Sequence, residues 1–280
     1  APVIPPSIGL IIFGVAGNVS ITKLFLAGIV PGLLMGLAIG LTWWWLAKRE
    51  NVLPAPQPTL PERLRITAEG GFALALPVVI IGGMKFGIFT PTEAAVVAAV
   101  YSFVVGMFIY RELKWSQLYG VILAAGKTTA VVMFLVAAAM VSAWLITVAN
   151  IPTEVANLMA PFMGNKILLM LMMMMLIVAV GTALDFTPTV LILTPVLMPL
   201  VLKAGIDPVY FGIMFIMNNA IGLITPPVGT VLNVVCGVAK ISMDTAFKGV
   251  LPFLLAQLGV LALLIAFPAI VTEPLKWLMR

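Results

Sequence analysis

The chain has 280 residues, of which 62% are hydrophobic and only 9% are charged. An ordinary soluble domain has about 25% charged residues, so this composition excludes a water-soluble fold. Histidine is absent and Cys236 is the only cysteine, which excludes zinc and haem enzymes, histidine-based acid–base chemistry and disulfides within the chain. The formal net charge of +5 indicates basic loops beside membrane spans rather than a surface for nucleic acid.

A membrane-spanning helix needs about 20 mostly apolar residues, so we expect an all-α polytopic membrane protein with about six to eight spans. Residues 1–22 are predicted to be the end of a broken helix in a first transport-domain repeat. Residues 23–149 are predicted to hold scaffold spans, at 24–46, 70–89, 92–110 and 128–149. The first of these spans has a stripe of small residues that favours close helix packing: Gly28, Gly32, Gly36 and Gly40.

Polar segments separate these spans. The linker 47–69 is rich in proline and basic residues and is predicted to be cytoplasmic. An apolar stripe at i, i+3, i+4 and i+7 predicts an interfacial helix over 113–126. Thr90 as N-cap with Glu93 three residues later predicts a capping box. We therefore interpret Glu93 as a cap rather than as an intramembrane acid.

Residues 150–248 are predicted to form a second transport-domain repeat. It begins with a re-entrant hairpin over 165–203, because helix-breaking residues interrupt a long apolar stretch that has no polar connection between two spans. A broken helix over 207–240 follows, interrupted at Thr225-Pro226-Pro227. Residues 249–280 are predicted to be the last span and the C-terminus.

Two proline pairs indicate an internal repeat. Placing Pro5-Pro6 on Pro226-Pro227 also places Gly28 on Gly249 and Pro31 on Pro252 without a gap. If the hairpin does not cross the membrane, four full spans separate the two copies, which must then run in opposite directions. Basic residues concentrate in the loops of one side, as this arrangement requires. The sequence therefore predicts an inverted repeat.

A Pro-Pro pair inside an apolar segment ends one helix and starts another. The carbonyls freed at the break must meet protein, water or a cation, because lipid cannot satisfy them. Half-helix N-termini at the same level suit an anionic substrate group. A duplicated break beside a hairpin tip therefore predicts a cation-coupled transporter.

The candidate site residues follow from their oxygen atoms and their positions at these breaks. The predicted cation-binding residues are Asp185, Thr187, Thr189, Asn218, Asn219, Gly222, Thr225 and Gly229. The predicted substrate-binding residues are Pro5, Pro6, Ser7, Pro188, Pro226 and Pro227. Asp185 has two interpretations, a counter-charge for the cation or an N-cap of the second hairpin arm. Gly229 either permits a close backbone approach or only eases packing.

At these residues the sequence resembles the large membrane subunit of the tripartite ATP-independent periplasmic (TRAP) transporters. The matching segments are Ile4-Pro5-Pro6-Ser7-Ile8, the stretch from Phe89 to Ala95, the stretch from Asp185 to Val201, Gly205-Ile206-Asp207-Pro208 and the stretch from Ile221 to Gly229. Within the family, residues 42–45 and 141–147 are most similar to importers of 2,3-diketo-gulonate.

This resemblance implies an elevator-type importer in the bacterial inner membrane, which is not an enzyme and uses no cofactor beyond sodium as coupling ion. It implies an organic or sugar acid as substrate, a periplasmic solute-binding protein that delivers it and a small four-helix membrane subunit. The family's first hairpin, with its sodium-binding residues, has no counterpart in this sequence. We therefore expect the chain to be an N-terminally incomplete subunit that does not transport alone.

Three other interpretations compete with this one. The first is another cation-coupled carrier of dicarboxylates or anions with the same broad fold. The second is an intramembrane protease, but Asp185 has no second acid in a Gly-x-Gly-Asp setting, and a G-x-S-x-G motif is absent. The third, a purely structural membrane scaffold, would not explain the duplicated breaks.

Overall fold

The computed structural model describes residues 3–51, 58–226 and 229–279. These residues form helices and their connections and contain no strand. The α-helices are α1 (Ile8–Gly17), α2 (Ile21–Arg49), α3 (Leu60–Lys85), α4 (Pro91–Val104), α5 (Leu118–Val148), α6 (Ile151–Met159), α7 (Lys166–Gly181), α8 (Phe186–Lys203), α9 (Pro208–Gly222), α10 (Thr230–Ala239), α11 (Met243–Ala266) and α12 (Ala269–Leu278). The chain divides into two compact units, one of Ala1–Trp45 with Met133–Arg280 and one of Leu46–Val132.

Within the described residues, six helices are long and apolar enough to cross a membrane. They are α2, α3, Pro91–Ile109, Trp115–Val148, α8 and α11. Pro91–Ile109 consists of α4 and a π-helical turn, and Trp115–Val148 consists of a 3-10 turn and α5. The predicted all-α polytopic membrane protein is therefore confirmed. Its inverted and elevator-type character stays a prediction.

The predicted capping box is present in the second unit. The Glu93 carboxylate accepts from the Thr90 backbone N–H at 2.7 Å and from the Thr90 hydroxyl at 2.9 Å. A second box of the same kind starts α3, where Glu62 accepts from the Thr59 N–H at 2.8 Å. This second box shortens the predicted linker 47–69, because its last ten positions already belong to α3.

The predicted division between an interfacial helix over 113–126 and a span over 128–149 is wrong. One continuous helix, α5, runs through both segments after the 3-10 turn Trp115–Gln117. Thr128 had the sequence appearance of a helix start. Its hydroxyl instead donates to the Ala124 carbonyl at 3.0 Å, so Thr128 lies inside the helix and does not mark a helix boundary.

The last span also differs from the prediction. α11 begins at Met243 and ends at Ala266, and α12 follows as a separate helix. Pro268 causes the break, since the residue before a proline avoids helical geometry. Phe267 accordingly has φ −126° and ψ 72°.

α9 is the centre of the first unit. Thirteen of its 15 residues are buried, and it packs against α1, α7, α8 and α11. Phe211 and Phe215 of α9 meet Phe13 of α1 with ring centroids 6.1 Å and 5.6 Å from the Phe13 ring. All three rings are fully buried, so this aromatic cluster fixes α1 on α9.

The two stretches matched by the internal repeat share their local structure. α1 and α10 both have ten residues, and both end at a left-handed residue, Asn18 with φ 52° and Lys240 with φ 53°. A serine hydroxyl then caps the next long helix in each stretch, Ser20 for α2 and Ser242 for α11. Each long helix contains a proline, Pro31 or Pro252. The correspondence therefore extends from sequence to helix caps.

Candidate functional site

The hairpin tip lies between α7 and α8. α7 ends at Gly181, and Asp185 is the N-cap residue of α8, with its Oδ1 accepting from the Phe186 N–H at 2.8 Å. The same oxygen lies 3.4 Å from the Thr230 hydroxyl at the start of α10. Of the two interpretations of Asp185, the structure shows the N-cap of α8. A role as cation ligand stays a prediction.

The second break lies between α9 and α10. Gly229 has φ +47°, and a Cβ atom there would lie 3.2 Å from the Thr225 carbonyl oxygen and 3.3 Å from the Leu223 carbonyl oxygen. Glycine is therefore required both by its backbone conformation and by the close approach of two carbonyls. The Thr225 hydroxyl donates to the Ile221 carbonyl at 2.7 Å, which leaves its oxygen lone pairs as acceptors. Pro227 lies outside the described residues.

The hairpin tip and the second break touch through two glycines. A Cβ atom on Gly222 would lie 3.0 Å from the carbonyl carbon of Gly181. A Cβ atom on Gly181 would lie 2.9 Å from Oδ1 of Asn219. The ends of α7 and α9 therefore meet backbone to backbone. Gly181 was not among the predicted site residues, because contact between distant glycines leaves no local sequence signal.

Asn218 and Asn219 lie at this junction, and both are fully buried. The Asn218 side-chain amide donates to the Met174 carbonyl of α7 at 2.5 Å, and that of Asn219 donates to the Phe186 carbonyl of α8 at 3.1 Å. The side-chain oxygens of both residues are buried without a hydrogen-bond partner among the described residues. A buried acceptor left unpaired costs about 1–3 kcal/mol. Two adjacent ones indicate a site for a donor or a cation.

The remaining predicted cation ligands lie in the first turn of α8. Thr189 is fully buried, and its hydroxyl donates to the Asp185 carbonyl at 2.9 Å. Thr187 and Pro188 are half-buried. α8 starts at Phe186, two residues before Pro188, because Asp185 caps it.

The predicted substrate residues Pro5, Pro6 and Ser7 precede α1. Ser7 is buried and caps this helix, its hydroxyl accepting from the Leu10 N–H at 3.3 Å. Two residues later, a Cβ atom on Gly9 would lie 2.5 Å from the ring of Phe186, the first residue of α8. The N-terminal ends of α1 and α8 therefore lie side by side, and both present the N–H groups and positive dipole end that attract anions.

Comparison with known proteins gives the family. A model of the family described as "Tripartite ATP-independent periplasmic transporter, DctM component" matches residues 1–270. The chain belongs to the DctM family. It is 53% identical over 99% of its length to the 2,3-diketo-L-gulonate TRAP transporter large permease protein YiaN of Escherichia coli, and 54% identical over 99% to a putative TRAP transporter large permease of Haemophilus influenzae. It is also 36% identical over 98% to the C4-dicarboxylate TRAP transporter large permease DctM of Pseudomonas aeruginosa.

This DctM-family chain spans 65% of the length of each of the first two relatives and 64% of the third. The resemblance to the large membrane subunit of TRAP transporters, which was stated from the sequence motifs, is confirmed. Family membership and six apolar helices identify a multi-pass integral membrane protein, which in bacteria lies in the inner membrane. The named relatives are transporter permeases. Within the described ranges, no group of three or more His, Cys, Asp or Glu side chains could hold a metal.

Proposed function

We propose that this chain is the principal part of the large membrane subunit of a sodium-driven importer of an organic or sugar acid, with 2,3-diketo-gulonate as the leading substrate. The proposal includes a periplasmic solute-binding protein that delivers the substrate and a small four-helix membrane subunit. The 53% identity to a relative named for 2,3-diketo-L-gulonate supports the substrate. The hairpin tip between α7 and α8 and the second break between α9 and α10 support a coupling-ion site.

The unpaired side-chain oxygens of Asn218 and Asn219 are the observation that carries the sodium part of the proposal. Sodium is a hard cation that takes oxygen ligands, and transporters supply them from carbonyls at unwound helix segments. The Leu223 and Thr225 carbonyls converge on Gly229 in the same break. A site built mainly from neutral oxygens suits a monovalent ion, because a divalent ion would need more carboxylates.

The substrate part of the proposal rests on the N-termini of α1 and α8. Ser7 and Asp185 cap these helices, and Gly9 lies against Phe186. Backbone N–H groups at two adjacent helix starts can bind a carboxylate without a basic side chain. Pro5 and Pro6 precede the N-cap residue Ser7, and Pro188 lies in the first turn of α8, so the proposal places these predicted substrate residues at the two helix starts.

Uptake into proteoliposomes tests the proposed function. The complete large subunit, its small subunit and its binding protein should import radiolabelled 2,3-diketo-gulonate only under an inward sodium gradient. Potassium in place of sodium, or collapse of the gradient with a sodium ionophore, should stop the uptake. Uptake that survives collapse of the gradient would refute sodium coupling.

Site variants test the ion ligands separately. We expect Asn219→Leu, Thr225→Ala and Asp185→Ala to raise the sodium concentration for half-maximal uptake by about tenfold, the equivalent of one charge-assisted hydrogen bond. Glu93→Gln is the matched control, because glutamine keeps the capping box while the carboxylate is removed. A Thr225→Ala protein with unchanged sodium dependence would remove Thr225 from the site.

A second substrate class, C4-dicarboxylates, is favoured by the relative from Pseudomonas aeruginosa, which is named for that activity. Competition during uptake distinguishes the two classes. Unlabelled succinate that inhibits as strongly as unlabelled 2,3-diketo-gulonate would favour the dicarboxylate carrier.

A further inference from the structure

An apolar groove of about 390 Å³ lies between α7, α9 and α11. Its walls include Met174, Met175 and Val178 of α7 and Leu258, Leu261 and Ala262 of α11. Leu258 and Ala262 are exposed, so the groove opens to the surroundings of the helices. Apart from Asn218 of α9, the residues that line the groove are apolar, so the groove can accept an acyl chain.

A second cavity of about 170 Å³ lies beside this groove, and Ile265 borders both. Its lining contains two side chains of opposite charge, Lys166 and Asp207. The Lys166 ammonium donates to the Gly205 carbonyl at 2.9 Å, and its other two N–H groups can serve a ligand. Asp207 accepts from the Val209 and Tyr210 N–H groups with Oδ1 alone, and Oδ2 remains as an acceptor.

The positions of these residues in their helices show where the smaller cavity lies along the helices. Lys166 is the first residue of α7, Asp207 is the N-cap residue of α9, and Pro268 follows α11. α12 begins at the next residue and carries charged residues and the exposed Trp277, as interfacial helices do. The smaller cavity therefore lies at the end of α11 that reaches the membrane surface, and the apolar groove is lined by residues further inside α7 and α11.

We propose that the two cavities together form a binding site for one phospholipid whose headgroup carries both a phosphate and a primary ammonium group. Lys166 binds the phosphate, Asp207 binds the ammonium, and one acyl chain lies in the groove. The opposite charges of the two side chains cancel, so a zwitterionic headgroup matches them. A purely anionic headgroup would pair with Lys166 but would leave Asp207 without a cationic partner.

A photoreactive lipid tests this site in the complete large subunit, reconstituted in nanodiscs with its small subunit. Phosphatidylethanolamine, phosphatidylglycerol and phosphatidylcholine, each with the same diazirine-bearing acyl chain, are the probes. We expect phosphatidylethanolamine to label peptides of α7 and α11 about fivefold more than the other two lipids, the effect of one partly exposed ion pair. Equal labelling by the three lipids, or labelling that avoids α7 and α11, overturns the proposal.

Variants assign the headgroup contacts. Lys166→Gln should lower labelling by all three lipids, since all three carry the phosphate. Asp207→Asn should lower labelling by phosphatidylethanolamine only, because asparagine still caps α9 but loses the charge. Unchanged labelling in either variant contradicts the assigned contact.

Filling the groove tests the acyl-chain position. Ala262→Trp places an indole between α7 and α11 and should abolish labelling by all three lipids. Ala266→Trp is the matched control, because Ala266 is exposed on the same helix and does not line the groove. Labelling in Ala262→Trp at the level of this control would show that the chain does not lie there. The readout is lipid binding and does not depend on transport.

Discussion

α1 and α10 occupy equivalent places in the two matched stretches, but their burial differs. Both helices keep one fully buried leucine, Leu10 in α1 and Leu232 in α10. Ile12 and Phe13 of α1 are buried as well, whereas Val234 and Val235, which occupy the same positions of α10 counted from the first residue of each helix, are 65% and 44% exposed. The repeat thus fixes length, caps and an anchor residue. Burial of the other faces depends on the neighbours, since α1 packs on α8 and α9 while α10 packs on α11.

The largest expected difference between the stretches is in core packing. Phe13→Ala should lower the free energy of unfolding by about 3–5 kcal/mol, because it empties the centre of the aromatic cluster. Val235→Ala, at the equivalent position, should change it by no more than about 0.5 kcal/mol. Denaturant unfolding of the complete protein in detergent, followed by tryptophan fluorescence, measures both. Equal losses would mean that the two helices are equally packed.

A smaller difference is expected at two matched glycines. A Cβ atom on Gly28 would lie 2.7 Å from the Val3 carbonyl oxygen, whereas one on Gly249 would meet nothing within 4 Å. Gly28→Ala should therefore destabilise the protein by about 1–3 kcal/mol through overpacking. Gly249→Ala should stabilise it by about 0.5–1 kcal/mol, because alanine is the better helix former. Changes of the same sign in the same unfolding assay would contradict the comparison.

The smallest difference between the stretches is expected at the two serine caps, where they should behave alike. Ser20 accepts from the Lys23 N–H at 3.4 Å, and Ser242 accepts from the Thr245 N–H at 3.3 Å. Ser20→Ala and Ser242→Ala should each lower the thermal stability by the equivalent of about 1 kcal/mol. Because the two caps are independent, the double variant should show the sum. A loss of stability in only one of the two variants would show that the serine cap is not a shared feature of the two stretches.

Features with a local chemical cause were predictable from the sequence. The Thr90–Glu93 box and the two breaks depend on prolines and caps within a few residues, and the structure contains them. The continuous helix α5 was not predictable in this way. Thr128 has the residue type of an N-cap, and only the hydrogen bond to Ala124 reveals its position inside a helix.

The candidate site was predictable only as a set of residues. Asn218 and Asn219 were both predicted as cation ligands, and the structure buries both. Thr230 was not predicted, although its hydroxyl lies near Asp185. These properties arise when α7, α8 and α9 pack together, and residues more than 30 positions apart carry no shared local pattern. Tertiary packing therefore supplied the part that the sequence could not.

The contact between Gly181 and Gly222 has a mechanical consequence. No side chain separates the two backbones, so no rotamer change can loosen the junction. The Asn218 and Asn219 amides tie α9 to the backbone of both hairpin arms close by. The hairpin and α9 therefore behave as one rigid body. Any movement that changes access to the site must carry them together, with hinges in the connections outside them.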